Sequence, residues 1–225
     1  DTRVIKARLL GKRRGSGGRV EVLLTRRLDE GPPNADDQEW LALGRANSPL
    51  RPGTPIDADP LFVEVLSRED DALLRVRVHA EGGVDAMLEA HGHVPLPPYM
   101  RRPDEAADAE RYQTVFARHP GSVAAPTAGL HVTPGTLSRL SARNVEVGFV
   151  TLHVGLGTFR PVSADDLDHH LMHSEELVIG PSLVEAVRRA RARGGPVIAV
   201  GTTVVRALES AADPSDTRYV TACAR

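Results

Sequence analysis

The chain changes its pattern near residue 82, and that change constrains the fold more than any single motif does. Before it, short apolar runs at 4–10, 19–27, 39–45, 61–66 and 73–79 are separated by turn residues. Arg75-Val76-Arg77-Val78-His79 alternates strictly, as a half-buried strand must when successive side chains point to opposite faces. The connections are Gly15-Ser16-Gly17-Gly18, Gly31-Pro32-Pro33-Asn34, Ser48-Pro49 and Arg51-Pro52-Gly53. Short strands with turns at this spacing predict a small β-barrel or sandwich, assigned to residues 1–90. After it, strands and helices alternate. A short helix is expected at 84–90 and an extended, proline-stiffened segment at 92–100, which by composition alone reads as a linker. A helix follows at 104–118 with Asp104 as N-cap, then a strand at 122–125 and a helix at 134–143 with Pro134 in its first turn. A strand at 145–152, a helix at 181–193 closed by Gly194-Gly195, a buried strand at 196–200 and a helix at 203–212 complete the series. Repeated βα units predict a parallel sheet, open or closed, over residues 91–225. In such folds ligands sit at the carboxyl ends of the strands.

Composition limits the function classes. The 225 residues suit one large domain or two small ones, and 41% hydrophobic content is enough for a core. With 4% aromatics, that core is mostly Val, Leu and Ala. A net charge of -2 excludes a wholly basic nucleic-acid-binding chain. The charge is uneven, however: residues 1–28 carry nine Lys or Arg against Asp1 and Glu21. Such a cluster either meets phosphates or is a solvated face. Cys223 is the only cysteine, so a disulfide framework and a cysteine metal cluster are excluded. No apolar run approaches the ~20 residues that span a bilayer, and no signal-peptide pattern is found. The cytoplasm is the expected compartment. Both ends read as cut: Asp1-Thr2-Arg3-Val4-Ile5 opens just before a strand, and 213–225 reaches no obvious stop.

Three loops leave the carboxyl ends of expected strands in the second half. Pro126-Thr127-Ala128-Gly129-Leu130-His131 follows Ala125. Gly155-Leu156-Gly157-Thr158 follows His153. Gly201-Thr202-Thr203 follows Val200 and opens a helix bearing Arg206 and Glu209. Each is weak alone. A GxG after a strand is usually a tight turn, a threonine there is usually a helix cap, and Arg206 with Glu209 is usually a surface pair. Together, on a parallel sheet, they would open onto one face. That face would hold hydroxyls, two histidines and free N–H groups at a helix start, where the dipole favours anions. A fourth segment, Asp168-His169-His170-Leu171-Met172-His173-Ser174-Glu175, lacks HExxH spacing, so metal is not expected. Histidine beside carboxylate suits proton transfer near neutral pH instead.

These segments resemble one family, the S-adenosylmethionine:tRNA ribosyltransferase-isomerases of queuosine biosynthesis. The resemblance rests on GHVPLPPY (Gly92 to Tyr99), RYQTV (Arg111 to Val115), AAPTAGLH (Ala124 to His131), FVTLHVGLGTFRPV (Phe149 to Val162), MHSE (Met172 to Glu175) and VIAVGTTVVRALES (Val197 to Ser210). Asp1-Thr2-Arg3-Val4 resembles the end of an earlier family motif. The match runs in family order from residue 1 to about 212; residues 213–225 match nothing recognised, and Val132 stands where an aromatic residue is expected.

The resemblance implies an α/β barrel-like main domain with a smaller all-β barrel domain inserted. It implies family segments beyond both ends, so that the main barrel is expected to be incomplete here and this chain alone a poor catalyst. The implied reaction moves the ribosyl part of S-adenosylmethionine, a co-substrate, onto an aminomethyl-deazaguanine in the tRNA anticodon. Rearrangement gives epoxyqueuosine, and adenine and methionine leave. No cofactor, metal or membrane is implied, and a monomer is expected. The sulfonium acidifies the neighbouring ribose carbon, so a base is needed, and adenine needs a donor as it leaves. His131, His153, His173 and Glu175 are the candidates, with roles left open among them. Pro126, Thr127, Gly129, Gly155, Gly157, Thr158, Phe159, Arg160, Gly201, Thr202, Thr203 and Arg206 are the expected substrate-binding residues. Arg160 and Arg206 suit a carboxylate or phosphate. The target base is expected to leave the anticodon stack. Two other readings compete: a non-catalytic tRNA- or nucleotide-binding remnant of the family, and an unrelated α/β nucleotide or sugar-phosphate enzyme. The second lacks a Walker lysine and a full GxGxxG fingerprint.

Overall fold

The computed structural model describes residues 1–69, 73–155, 176–211 and 223–224. Two compact units emerge: Ile5–Ala109, and Asp1–Val4 together with Glu110–Arg225. The first unit therefore interrupts the second in sequence. The reason lies in β1 (Thr2–Val4), whose ladder partner comes more than a hundred residues later.

The unit Ile5–Ala109 is built on a closed barrel. Its strands are β2 (Arg8–Arg13), β3 (Arg19–Arg27), β4 (Asp37–Ala46), β5 (Pro55–Ala58), β6 (Leu61–Arg68) and β7 (Leu73–His79). They close in the order β2-β3-β4-β7-β6-β5, all antiparallel. Alternation explains the closure. Val63 and Val65 of β6, Val76 and Val78 of β7 and Ile56 of β5 point inward and are fully buried, while Glu64, Arg75 and Arg77 point outward. Each such apolar side chain contributes roughly 1.5–3 kcal/mol by leaving water. Two buried polar groups are satisfied in relay: Trp40 Nε1 donates to Gln38 Oε1 at 3.0 Å, and Gln38 Nε2 donates to Asp85 Oδ1 at 3.2 Å. Asp85 opens α1 (Val84–His91), whose first turn is also tied by Asn34 Oδ1 accepting from Ala86 N–H at 2.8 Å.

The segment 92–104 is strapped to this barrel and is no free linker. His93 and Arg8 exchange backbone hydrogen bonds at 2.9 and 3.2 Å, and the Arg8 guanidinium donates to the Leu96 carbonyl at 2.9 Å. Asp104 does not cap a helix, as the sequence suggests. Its carboxylate faces His93 Nδ1 at 2.9 Å and accepts from Val94 N–H at 2.9 Å. The expected helix 104–118 shrinks to α2 (Asp108–Arg111). Its carboxylates are drawn elsewhere: Asp108 accepts from Arg102 at 2.6 and 2.8 Å and from Glu105 N–H at 2.8 Å.

In the second unit β1 runs parallel to β8 (His119–Ser122). Gln113 completes the edge of β1: its Oε1 accepts from Val4 N–H at 3.0 Å and its Nε2 donates to Val4 C=O at 2.8 Å. The remaining strands are β9 (Thr151–His153), β10 (Glu176–Val178) and β11 (Cys223–Ala224), which form an antiparallel sheet in the order β11-β10-β9. Helices α3 (Pro134–Ala142), α4 (Pro181–Ala192) and α5 (Thr202–Ser210) lie close to their expected spans. One core joins β9, β10, α4 and α5: Leu152, Val154, Leu177 and Ile179 pack with Val184 of α4 and with Ala207 and Leu208 of α5.

Two sequence expectations need correction here. The expected strand 145–152 survives only as β9, and Val145 and Val147 are exposed. The expected buried strand 196–200 joins no ladder among the described residues, and Ile198 is 79% and Val200 55% exposed. An apolar run becomes a strand only where a neighbouring edge supplies hydrogen bonds, and none of the described strands does so here.

Candidate substrate site

The site grows from the ends of β8 and β9. Val123 N–H donates to Val154 C=O at 3.2 Å, and Val154 N–H donates to Ser122 Oγ at 3.0 Å. These two bonds lay the start of the loop 126–131 alongside the exit of β9. The loop itself is a 3-10 turn (Thr127–His131), so Pro126, Thr127, Gly129 and His131 sit on one compact bend. Gly129 is buried in it: a methyl there would come within 2.8 Å of the Phe116 ring and 2.9 Å of Thr114 Cγ2. The RYQTV segment and the Phe116 that follows it thus serve two structural ends, holding β1 through Gln113 and flooring this loop through Thr114 and Phe116.

His153 ends β9 and is half-buried. Its Nδ1 lies 2.7 Å from the Thr2 hydroxyl, and Thr2 is 3% exposed. Gly121 makes room for the ring. With φ at +141°, a Cβ there would lie 3.0 Å from His153 Cε1 and Nδ1. The imidazole is therefore held by one buried hydroxyl and by the absence of a side chain opposite, which fixes both its position and its tilt.

Gly201 brings in the third loop. It is the N-cap of α5, with φ +98° and ψ 149°, a region that only glycine enters readily. A Cβ on Gly201 would approach Ala128 Cβ to 3.0 Å, so this helix start touches the loop 126–131 directly. Thr202 and Thr203 fall within the first turn of α5, and no side chain caps that turn. The expectation that a threonine caps this helix is thus replaced by a glycine cap, which leaves the two hydroxyls beside a positive dipole end. Arg206 lies one turn further along α5 and is half-buried.

The loops beginning at Pro126, His153 and Gly201 are thus neighbours in space, joined through Val123–Val154 and Ala128–Gly201. Gly155 sits at the edge of the described part of the second loop. Gly157, Thr158, Phe159, Arg160, His173 and Glu175 lie outside the described residues. Among the described residues no three His, Cys, Asp or Glu side chains converge as a metal site would require. Sequence reasoning passed over Thr2, Gly121 and Ser122. Their only signal was position: Thr2 is 151 residues from His153, a separation no local pattern reports.

A fixed imidazole on one loop and a helix N-terminus with two hydroxyls on another thus flank the loop 126–131, an arrangement suited to proton transfer on a polar or anionic small molecule. The model of the queuosine biosynthesis protein family matches residues 1–223, and the chain belongs to that family. It is 54% identical over 232 aligned positions to the S-adenosylmethionine:tRNA ribosyltransferase-isomerase of Sorangium cellulosum (strain So ce56), covering 96% of this chain and 62% of that protein. It is 50% identical over 212 positions to the protein of the same name from Anaeromyxobacter dehalogenans (strain 2CP-C), covering 94% of this chain and 60% of the relative. The counterpart in Anaeromyxobacter sp. (strain K) matches at 50% over the same shares. The chain spans about 60% of the length of these curated relatives. No helix among the described residues is long and apolar enough to cross a membrane.

Proposed function

We propose that this protein acts as an S-adenosylmethionine:tRNA ribosyltransferase-isomerase. It transfers the ribosyl group of S-adenosylmethionine to an aminomethyl-deazaguanine in the anticodon of tRNA, isomerises it to the epoxycyclopentane of epoxyqueuosine, and releases adenine and methionine. The observation that carries this reading is the meeting of the three loops beside His153, where Gly201 packs on Ala128 and Val154 pairs with Val123. The names of the relatives supply the substrates. In the proposed chemistry a base removes a proton from the ribose carbon beside the sulfonium, and a donor protonates or hydrogen-bonds adenine as it leaves. His153, held at Nδ1 by Thr2, is the proton-transfer group best supported by geometry, with His131, His173 and Glu175 as the other participants. The helix start at Gly201–Thr203 grips a polar end of S-adenosylmethionine, and Arg206 faces a carboxylate or phosphate.

The unit holding these loops is proposed to belong to an α/β barrel-like main domain, with the closed β-barrel inserted as the smaller domain. The parallel β1–β8 pair and the alternation of strands with α3, α4 and α5 support this. The protein is proposed to work in the cytoplasm, as a monomer, with no cofactor beyond its co-substrate. The test uses the full natural protein that carries this sequence, incubated with S-adenosylmethionine and tRNA bearing the aminomethyl-deazaguanine. Adenine release and epoxyqueuosine in the tRNA are expected. A folded protein that releases no adenine would overturn the reading, and activity that survives His131→Ala, His153→Ala and His173→Ala would overturn the catalytic assignment.

A further inference from the structure

We infer that the outer face of β2 and β3, with the end of β4, is the surface on which the barrel unit receives the phosphate backbone of an RNA, the tRNA of the reaction proposed above. This deepens that reading and rests on it. The ladder sets Lys12 directly opposite Arg19. Directly opposed residues point to the same side of a sheet, with Cβ atoms about 5 Å apart, and like charges so placed are destabilising. Among the described residues neither side chain meets a carboxylate. Arg45 lies on the same side, opposite Glu21, which is two residues and about 7 Å along β3 from Arg19, so Arg45 stands diagonally across from Arg19. Glu21 does not neutralise it, because its carboxylate lies 3.3 Å from Arg8 Nε. The acid across β5 is also committed: Asp57 faces Lys12 in the ladder, yet binds Arg14 Nε and Nη2 at 2.5–3.2 Å while Arg14 stacks over Phe62 at 4.7 Å.

Lys12, Arg19 and Arg45 thus remain uncompensated on one face, in a chain whose net charge is -2. Three arginines elsewhere on the barrel are balanced: Arg27 by Asp29, Arg75 by Glu39, and Arg77 by Glu39 and Glu64. On the same face Leu10, 54% exposed, lies two residues from Lys12 and across β3 from Arg45, with Glu21 between them, and is an aliphatic floor that a ribose could cover. Lys12 and Arg19 stand one cross-strand step apart and Arg45 stands diagonally beyond Arg19, a spacing that suits a polyanion whose charges repeat along a chain. The sheet carries no exposed aromatic row among them, so the contact is to phosphate and sugar and positions the RNA without reading its bases.

The test measures binding of a tRNA transcript by fluorescence anisotropy between 50 and 200 mM KCl, with S-adenosylmethionine absent. For phosphate contacts, the slope of log affinity against log salt changes by roughly 0.7–0.9 per contact. Changing Lys12, Arg19 and Arg45 together to Gln should lower affinity at 100 mM salt by 10-fold or more and flatten the slope by about 2. The Glu triple variant should abolish binding. Unchanged thermal unfolding of the Gln variant serves as the folding control, and Arg75→Gln with Arg77→Gln should leave binding as it was. Wild-type affinity and slope in the Gln triple variant would overturn the inference while leaving the proposed activity standing. A wild-type protein that binds no tRNA, or binds anionic phosphatidylserine vesicles in its place, would remove both.

Discussion

The hydroxyl of Thr2 meets His153 Nδ1 at 2.7 Å and donates to the His119 carbonyl at 3.5 Å, and the shorter contact is the one that bears on the imidazole. Thr2→Val keeps the shape of a buried side chain and removes the 2.7 Å contact to His153. The long bond to His119 C=O goes too, but it is the loss of the His153 contact, about 1–1.5 kcal/mol, that should lower kcat roughly 10-fold with little change in KM for S-adenosylmethionine, and Thr2→Ser should restore it. Steady-state adenine release reads this directly. Gly201→Ala belongs to the same scale. At φ +98° the new Cβ is strained by about 1–3 kcal/mol, and it must also displace Ala128. Weaker S-adenosylmethionine binding by calorimetry, with the barrel unit unaffected in thermal unfolding, is the expected outcome. Asp29 supplies a pH prediction. Burial alone would raise its pKa, but the Arg27 side chain and the N–H groups of Glu39 and Gly31 outweigh that and hold it below the ordinary value. A depressed carboxylate stabilises the fold above its unfolded pKa of about 4 and loses that contribution as pH falls through the folded value. Denaturant midpoints should therefore drop below pH 4, and Asp29→Asn should blunt the drop.

Elements were legible where one period dominated and illegible where a distant partner decided. The runs 19–27 and 73–79 coincide with β3 and β7, because alternation against a shared interior is a local signal. The run 104–118 reads as helix, yet its side chains are claimed by His93 and Arg102 just before it and by Val4, 109 residues from Gln113, and helical periodicity reports none of these partners. Strand β5 went unseen because Pro55-Ile56-Asp57-Ala58 is too short to display a period. Two substitutions weigh these elements. Gln113→Ala leaves the N–H and C=O of Val4 without partners and should cost about 1–3 kcal/mol, read as earlier unfolding of the unit that contains β1. Leu24→Ala opens a cavity in the wholly buried centre of β3 and should cost about 2–5 kcal/mol in chemical denaturation.

At the scale of the molecule, two units share one chain, and the barrel unit enters and leaves between Val4 and Glu110. Its six strands close on themselves, so its hydrogen bonding does not require the other unit. Residues 5–109 produced alone should therefore fold and unfold in one cooperative transition by circular dichroism. A molten or aggregated product would count against that independence.

By itself the sequence determined the kinds of element, the β-rich first part and alternating second part, the three glycine- and hydroxyl-bearing loops, and through its motifs the family. Each is written in residues that lie within a few positions of one another, or in motifs long enough to be specific. Only the tertiary structure decided that Thr2 reaches His153, that Gly201 rests on Ala128, that Asp104 serves His93 and no helix, and that Lys12, Arg19 and Arg45 stand together without a counter-charge. Those facts depend on pairings across separations from 7 residues (Lys12 to Arg19) to 151 (Thr2 to His153), set by ladder register and core packing, and a chain's local periodicities do not encode them.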